Sequence, residues 1–305
     1  MRYLGLSIAT KFWVVTAVFL WASAFVGIRM GLQGYSPGGL ALLRFIIASI
    51  CMVVVFFRLE KRSVISSKDF FLMLFIGATT MGGYHVALNY GEMTVPSGIA
   101  SFIISQSPVM SVVFAMVFLR ERLNGFVVVG MTISFLGMIF ILFGQENNFN
   151  LSVGVLFVCF SAATGSVFSV LQKPFLKKYH AAEVTSFMIW GGTLAFLFYT
   201  PDVCHEIFSA SALATCSVIY LGIFPAAVAY LAWSYVLSAM PASRAVNFLY
   251  FMPLIATLLG WIVLNEIPPL ASLAGGIIGL LGVWIVNYGY SRKPTADFIE
   301  VEVVE

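Results

Sequence analysis

Residues 95–121 read VPSGIASFIISQSPVMSVVFAMVFLRE, and three landmarks in them, Pro96, Pro108 and Glu121, recur 145 positions later as Pro241, Pro253 and Glu266. The chain contains a second version of this stretch. Comparing 77–144 with 222–289 without gaps gives 13 identities in 68 positions, among them Gly77/Gly222, Gly130/Gly275, Gly137/Gly282 and Gly144/Gly289. Shared apolar composition alone would give roughly half as many matches. It would not select Pro, Gly and Glu, whose roles are set by backbone geometry and charge.

With 61% hydrophobic and 10% charged residues and a mean hydropathy of +1.00, the 305-residue chain is far more apolar than a soluble domain. This composition predicts an all-α integral membrane protein. The net charge of +3 is too small and too scattered to suggest a nucleic-acid partner. Cys51, Cys159, Cys204 and Cys216 form no C-x-x-C pair, and His85, His180 and His205 lack metal-ligand spacing, so no metal, redox group or other cofactor is signalled. Ala22-Ser23-Ala24 imitates a signal-peptidase site. The counterpart of Thr10–Phe25 ending at Ser166-Val167-Phe168 favours an uncleaved first helix.

Apolar windows of about 20 residues fall near 12–32, 37–57, 69–90, 97–118, 125–144, 151–172, 182–200, 213–236, 242–264 and 270–290. They predict ten transmembrane helices, since a bilayer leaves the backbone of an open segment unsatisfied and no strand-like alternation argues for a barrel. Segments on one side contain 14 of the 16 Lys and Arg residues, which makes both termini cytoplasmic in a multi-pass protein. Five spans per half is an odd number, so the halves enter the membrane with opposite polarity. The expected organisation is two inverted five-helix repeats, 1–147 and 148–290, followed by a cytoplasmic tail, 291–305. A repeat of this length has the size of half a membrane transporter, and inverted halves supply a basis for alternating access.

Together with Trp21-Ala22-Ser23, Arg44-Phe45, Gly130, Gly137, Gly275 and Gly282, the two Pro-x12-Glu stretches make the chain resemble the drug/metabolite transporter superfamily, more narrowly its EamA-type members. The resemblance runs from about residue 12 to 290. It implies a secondary transporter in a bacterial cell inner membrane that exports small organic metabolites, amino acids being the favoured class. The sequence departs from the family where relatives often have Gly before the repeated glutamates: here Arg120 precedes Glu121 and Asn265 precedes Glu266.

Pro108 and Pro253 fall near the middle of their helices, and each leaves the carbonyl four residues earlier, on Ile104 and Leu249, without its usual donor. They are read as paired hinges beside a cavity, against a static kink. Ser97, Ser101, Ser105 and Pro108 share one helical face, a stripe that serves either substrate or helix packing, and the second copy carries Asn247 and Tyr250. Trp21, Tyr84, Asn89, Tyr90 and Trp233 are further cavity candidates, each weighed against plain packing. Arg44 lies about 10 Å into the membrane, where an ionisable group is a functional hypothesis by default. His85 is the intramembrane group able to titrate near neutral pH, so protons are the coupling ion considered.

The carboxylates are all assigned to loops, ends or tail, Glu92 among them, and Arg29 is expected to reach outward to the headgroups. Glu121 and Glu266 are read as caps of the helices that follow them. The expected partners are a small-molecule substrate and the lipid bilayer. Gly27-x-x-x-Gly31 and Gly275-x-x-x-Gly279 suit a homodimer or internal packing equally. Three other readings remain: efflux of lipophilic cations, a non-transporting membrane partner, and a lipid-modifying membrane enzyme. The dispersed acidic and imidazole groups count against an enzyme.

Overall fold

The computed structural model describes residues 7–107, 109–110, 125–143, 153–239, 245–267 and 270–291, with the side chains of some helical residues, Asn247 included, outside the description. Pro108, Glu121 and the expected 147/148 junction also lie outside it. The regular structure among the described residues is helical: α1 (Ile8–Gly31), α2 (Pro37–Phe57), α3 (Ser67–Glu92), α4 (Ser97–Ile104), α5 (Gly125–Phe143), α6 (Val153–Leu171), α7 (Ala181–Glu206), α8 (Ala212–Ala239), α9 (Met252–Leu264) and α10 (Leu270–Ser291). Six of the described helices, α1, α2, α3, α6, α7 and α8, belong to stretches long and apolar enough to cross a membrane. Their outward faces carry bare apolar side chains such as Phe12, Ile50, Phe71 and Phe75, as lipid contact requires.

Five helices start on local chemistry. The hydroxyls of Ser7, Ser36, Ser66 and Ser211 accept backbone N–H bonds in the first turns of α1, α2, α3 and α8. His180 and Glu183 form a reciprocal cap at the start of α7. At the end of α9, Asn265 adopts a left-handed conformation (φ 54°, ψ 28°) and closes the helix by donating its N–H to the Gly260 carbonyl. Asparagine tolerates this region, which explains how it stands where relatives often use Gly.

Two helices contain wide π turns, Gly77–Met81 within α3 and Gly222–Val228 within α8, and the turns begin at residues 145 apart. Each marks a close crossing. A Cβ on Gly77 would stand 2.0 Å from the Met188 carbonyl oxygen on α7, and one on Gly191 of α7 would stand 2.1 Å from the Leu74 carbonyl oxygen. A Cβ on Gly222 would stand 2.6 Å from Ile47 Cβ and 2.9 Å from the Arg44 carbonyl oxygen on α2. The carbonyls that a wide turn frees do not go unsatisfied: Thr79 and Thr80 donate their hydroxyls to Phe75 and Ile76, and Trp21 Nε1 donates to Pro225 at 3.1 Å.

Helices α5 and α10 pack along their lengths with reciprocal contacts. A Cβ on Gly137 would meet the backbone at Gly275 and Gly279, one on Gly282 would meet Gly130 and Ser134, and Ser134 donates its hydroxyl to the Gly279 carbonyl at 3.1 Å. Position i touching j while i+145 touches j−145 is the signature of a two-fold contact. Without a hydrophobic drive between helices in lipid, such small-residue seams let backbones approach.

The expected fourth window, 97–118, is not one regular helix at its start. Helix α4 ends at Ile104, and a turn at Ser105–Gln106 precedes Pro108. In the second copy, a 3-10 segment, Val246–Phe251, precedes α9, with Pro253 at its first turn. The two carbonyls expected to lose partners find different ones. Ser107 donates its hydroxyl to Ile104 at 2.6 Å, and the Met252 N–H bonds to Leu249.

Candidate functional site

An internal cavity of about 80 Å³ lies between α1, α2, α3, α6, α8 and the two broken segments around α4 and α9. That is room for several waters or a small solute fragment. Trp21, Arg44, Tyr84, His85 and Trp233, all expected from the sequence, are among its lining residues, with Ser107, Ser166, Ser169 and Tyr230. Within the stretches 77–144 and 222–289, four lining pairs are 145 residues apart: His85/Tyr230, Leu88/Trp233, Ile104/Leu249 and Ser107/Met252. The cavity is built from equivalent positions of the duplicated stretch.

At its centre, His85 Nε2 and Tyr230 Oη are hydrogen-bonded at 2.9 Å. Phe45 and Tyr84 pack on the imidazole edge-on, with centroids 4.9 and 4.8 Å away. Trp21 stands 5.2 Å from the rings of both Tyr230 and Trp233, and Phe168 closes on Tyr230 at 5.6 Å. The result is an aromatic wall with few polar handles. Arg44 is 1% exposed, and its Nε and Nη1 have no hydrogen-bond partner. A guanidinium so placed is expensive to bury, and it offers its donors to whatever enters the cavity.

The other expected residues lie elsewhere. Asn89 is buried on α3, donating Nδ2 to the Pro37 carbonyl at 2.8 Å, where it ties α3 to the start of α2. Tyr90 is 37% exposed and stacks on Phe157. Ser101 and Ser105 turn their hydroxyls back onto Gly98 and Phe102 of their own helix. Tyr250 is half-buried in the 3-10 segment. Pro253 is buried beside Met252, a lining residue.

One end of the bundle is held by a cluster that the sequence reading placed differently. Glu266, expected to cap the helix after it, is engaged among the described residues by the opposite half. Its Oε2 accepts bonds from the backbone N–H and the hydroxyl of Ser97, at 2.9 and 2.7 Å, and so caps α4 from the opposite half. Arg29 does not reach out to headgroups either. Its Nε donates to Glu266 Oε1 at 2.9 Å and its Nη1 to the Glu92 carbonyl at 2.6 Å. Glu92, expected in a loop, is fully buried in the last turn of α3. These contacts span 169 and 237 positions, so local pattern carried no sign of them. At the same end Glu206 accepts the Ser36 N–H at the start of α2, and at the other end Glu183 accepts bonds from Ser63.

A helical bundle with a buried, partly polar cavity flanked by broken helices defines the class of membrane transporters. The EamA-like transporter family matches residues 9–143 and again 152–288, and the chain belongs to that family. It is 34% identical over 275 residues to a probable terminal-alkyne amino-acid exporter of Streptantibioticus cattleyicolor, covering 90% of this chain and 92% of that one. It is 38% identical over 264 residues to an uncharacterized transporter of Bacillus subtilis, covering 87% and 86%. A probable amino-acid metabolite efflux pump of Salmonella typhimurium is 20% identical over 307 residues, covering 93% and 97%. The fold resembles that of a crystal structure at a TM-score of 0.64 and 19% identity, covering 93% of this chain and 98% of the other.

Proposed function

We propose that this transporter exports small organic metabolites, with amino acids the favoured class, by alternating access between two inverted five-helix repeats, 1–147 and 148–290. Ten spans cross the cell inner membrane, and both termini and the tail, 291–305, are cytoplasmic. The duplicated stretch, the reciprocal α5–α10 seam and the double family match support the repeat. The basic-residue asymmetry supports the orientation.

The observation that carries the substrate class is Arg44, buried in the cavity wall with two donor nitrogens unpartnered. A solute bearing a carboxylate satisfies those donors, and a permanent cation meets repulsion there. The aromatic wall of Trp21, Tyr230 and Trp233 suits the apolar part of such a solute. The names of two relatives point the same way.

Purified protein in vesicles should move amino acids. Arg44→Ala should lower their flux about tenfold more than that of uncharged solutes of similar size. Flux confined to permanent cations, unchanged by Arg44→Ala, would replace this reading with efflux of lipophilic cations.

A further inference from the structure

His85, Asn89 and Glu92 are spaced by four and three residues on α3, which sets them on one helical face. All three are buried, at 2%, 0% and 0% exposure. Each has a polar atom without a partner: His85 Nδ1, Asn89 Oδ1 and both carboxyl oxygens of Glu92. The track runs from the cavity, where His85 and Arg44 sit, to the cluster of Arg29, Glu266 and Ser97.

Glu92 is the anomaly in this track. An ionised carboxylate with no donor on either oxygen is untenable in so dry a place, whereas a neutral carboxyl is tolerable. Arg29 is the nearest cation, and it is already engaged, by Nε to Glu266 and by Nη1 to the Glu92 backbone carbonyl. The charged and titratable groups acting on Glu92 are Arg29 from α1, Arg44 from α2, Glu266 beyond α9, and Tyr84 on its own helix. Helices α4 and α6, packed beside α3, present no charged residue; of the groups on α7, Glu183 is bound to Ser63 at the far end of the bundle, Glu206 accepts the Ser36 N–H at the near end, and Asp202 and His205 are exposed.

From this geometry we infer that Glu92 is the proton-carrying group of the transport cycle, and that its neutral form keeps the Arg29–Glu266–Ser97 cluster closed. With Glu92 neutral, Arg29 serves a single carboxylate, and Glu266 grips α4. With Glu92 ionised, two carboxylates compete for one guanidinium, the hold on Ser97 loosens, and α4 parts from α9 at that end. The proton balance is one for one. Glu92 takes a proton from hydronium on the outer side, leaving water, and returns it to a water on the inner side after the outer end has shut, while one solute leaves outward. The inference rests on the export reading above.

The test uses the full-length protein with Glu92→Gln, which keeps the shape, and Glu92→Asp, which keeps the acid. Infrared difference spectra of purified protein should show a protonated-carboxyl stretch that fades as pH rises, is absent from Glu92→Gln and returns displaced in Glu92→Asp. This readout needs no solute. In vesicles, accumulation of alanine driven by a pH gradient and alanine/alanine exchange should both fall at least about tenfold in Glu92→Gln, which holds the neutral form, and both should be largely retained in Glu92→Asp. A carboxyl band that persists in Glu92→Gln, or no such band at any pH, overturns the inference, as does gradient-driven accumulation that survives the substitution. If the unaltered protein moves no tested solute in either assay, the export reading falls, and the infrared result alone decides the role of Glu92.

Discussion

The two halves contribute to the cavity at matching positions and with different chemistry. Where the first supplies His85, Leu88 and Ser107, the second supplies Tyr230, Trp233 and Met252, each larger. The lone buried guanidinium among the described lining residues, Arg44, also comes from the first half. Duplication therefore preserved backbone devices, namely the π turns at Gly77 and Gly222 and the breaks before Pro108 and Pro253, while the side chains facing the cavity diverged. Backbone geometry is what the two halves share; side chains are what tells them apart at the cavity.

The sharpest way to break this equivalence is at the crossing glycines. Gly77→Ala drives a Cβ into a backbone oxygen of α7, whereas the nearest obstacle to Gly222→Ala is the side chain of Ile47. We expect Gly77→Ala to cost about 3 kcal/mol or to abolish folding, and Gly222→Ala to cost about 1–2 kcal/mol, measured as thermal stability in detergent. Equal losses would show that the two crossings are equally tight.

Removing the repeated glutamates tests whether the halves act as opposites. Glu266→Ala should expose a cavity cysteine introduced at Ser169 to outer reagents about tenfold faster, because the cap on Ser97 and the partner of Arg29 both go. Glu121→Ala should favour the inner side instead. Shifts in the same direction would undo the inverted arrangement.

Smaller effects are expected inside the cavity. Trp233→Leu gives the second half the residue its counterpart Leu88 has, and should raise the flux of aromatic relative to small amino acids a few-fold by widening the wall. Tyr230→Phe removes one neutral hydrogen bond to His85 and should cost about 1 kcal/mol of stability. Exchanging the pair, His85→Tyr with Tyr230→His, should recover most of that loss, and a failure to recover would show that the neighbours Phe45 and Phe168 tell the two sides apart.

The helical class and the repeat were legible because they depend on hydropathy over 20 residues and on Pro and Gly, whose effects are local. Trp21, Arg44, Tyr84, His85 and Trp233 were legible as polar or amphipathic groups at membrane depth. The sites of Glu92 and Glu266 were not. A hydropathy window ends where charge begins, so it cut α3 two residues short and put Glu92 outside. The capping of Ser97 by Glu266 depends on how α9 docks against α4, which no local pattern encodes. The π turns were half legible: the matched glycines marked the places, and only the packed neighbours explain why a wider turn is needed there. The serine stripe on α4 misled because a hydroxyl in a helix can return to the carbonyl three residues back, as Ser101 and Ser105 do.

The bond between His85 and Tyr230 joins two equivalent positions, and this limits how such a cavity can arise. In an assembly of two identical copies of such a half, the residue at that meeting point would face its own duplicate, imidazole against imidazole or phenol against phenol. With the two copies as separate stretches of one chain, each position can change alone, so that a ring nitrogen faces a hydroxyl of another kind. Holding both copies in one chain thus does more than fix the stoichiometry at one to one: it lets the centre of the protein, where a two-fold relation is most restrictive, be unsymmetrical.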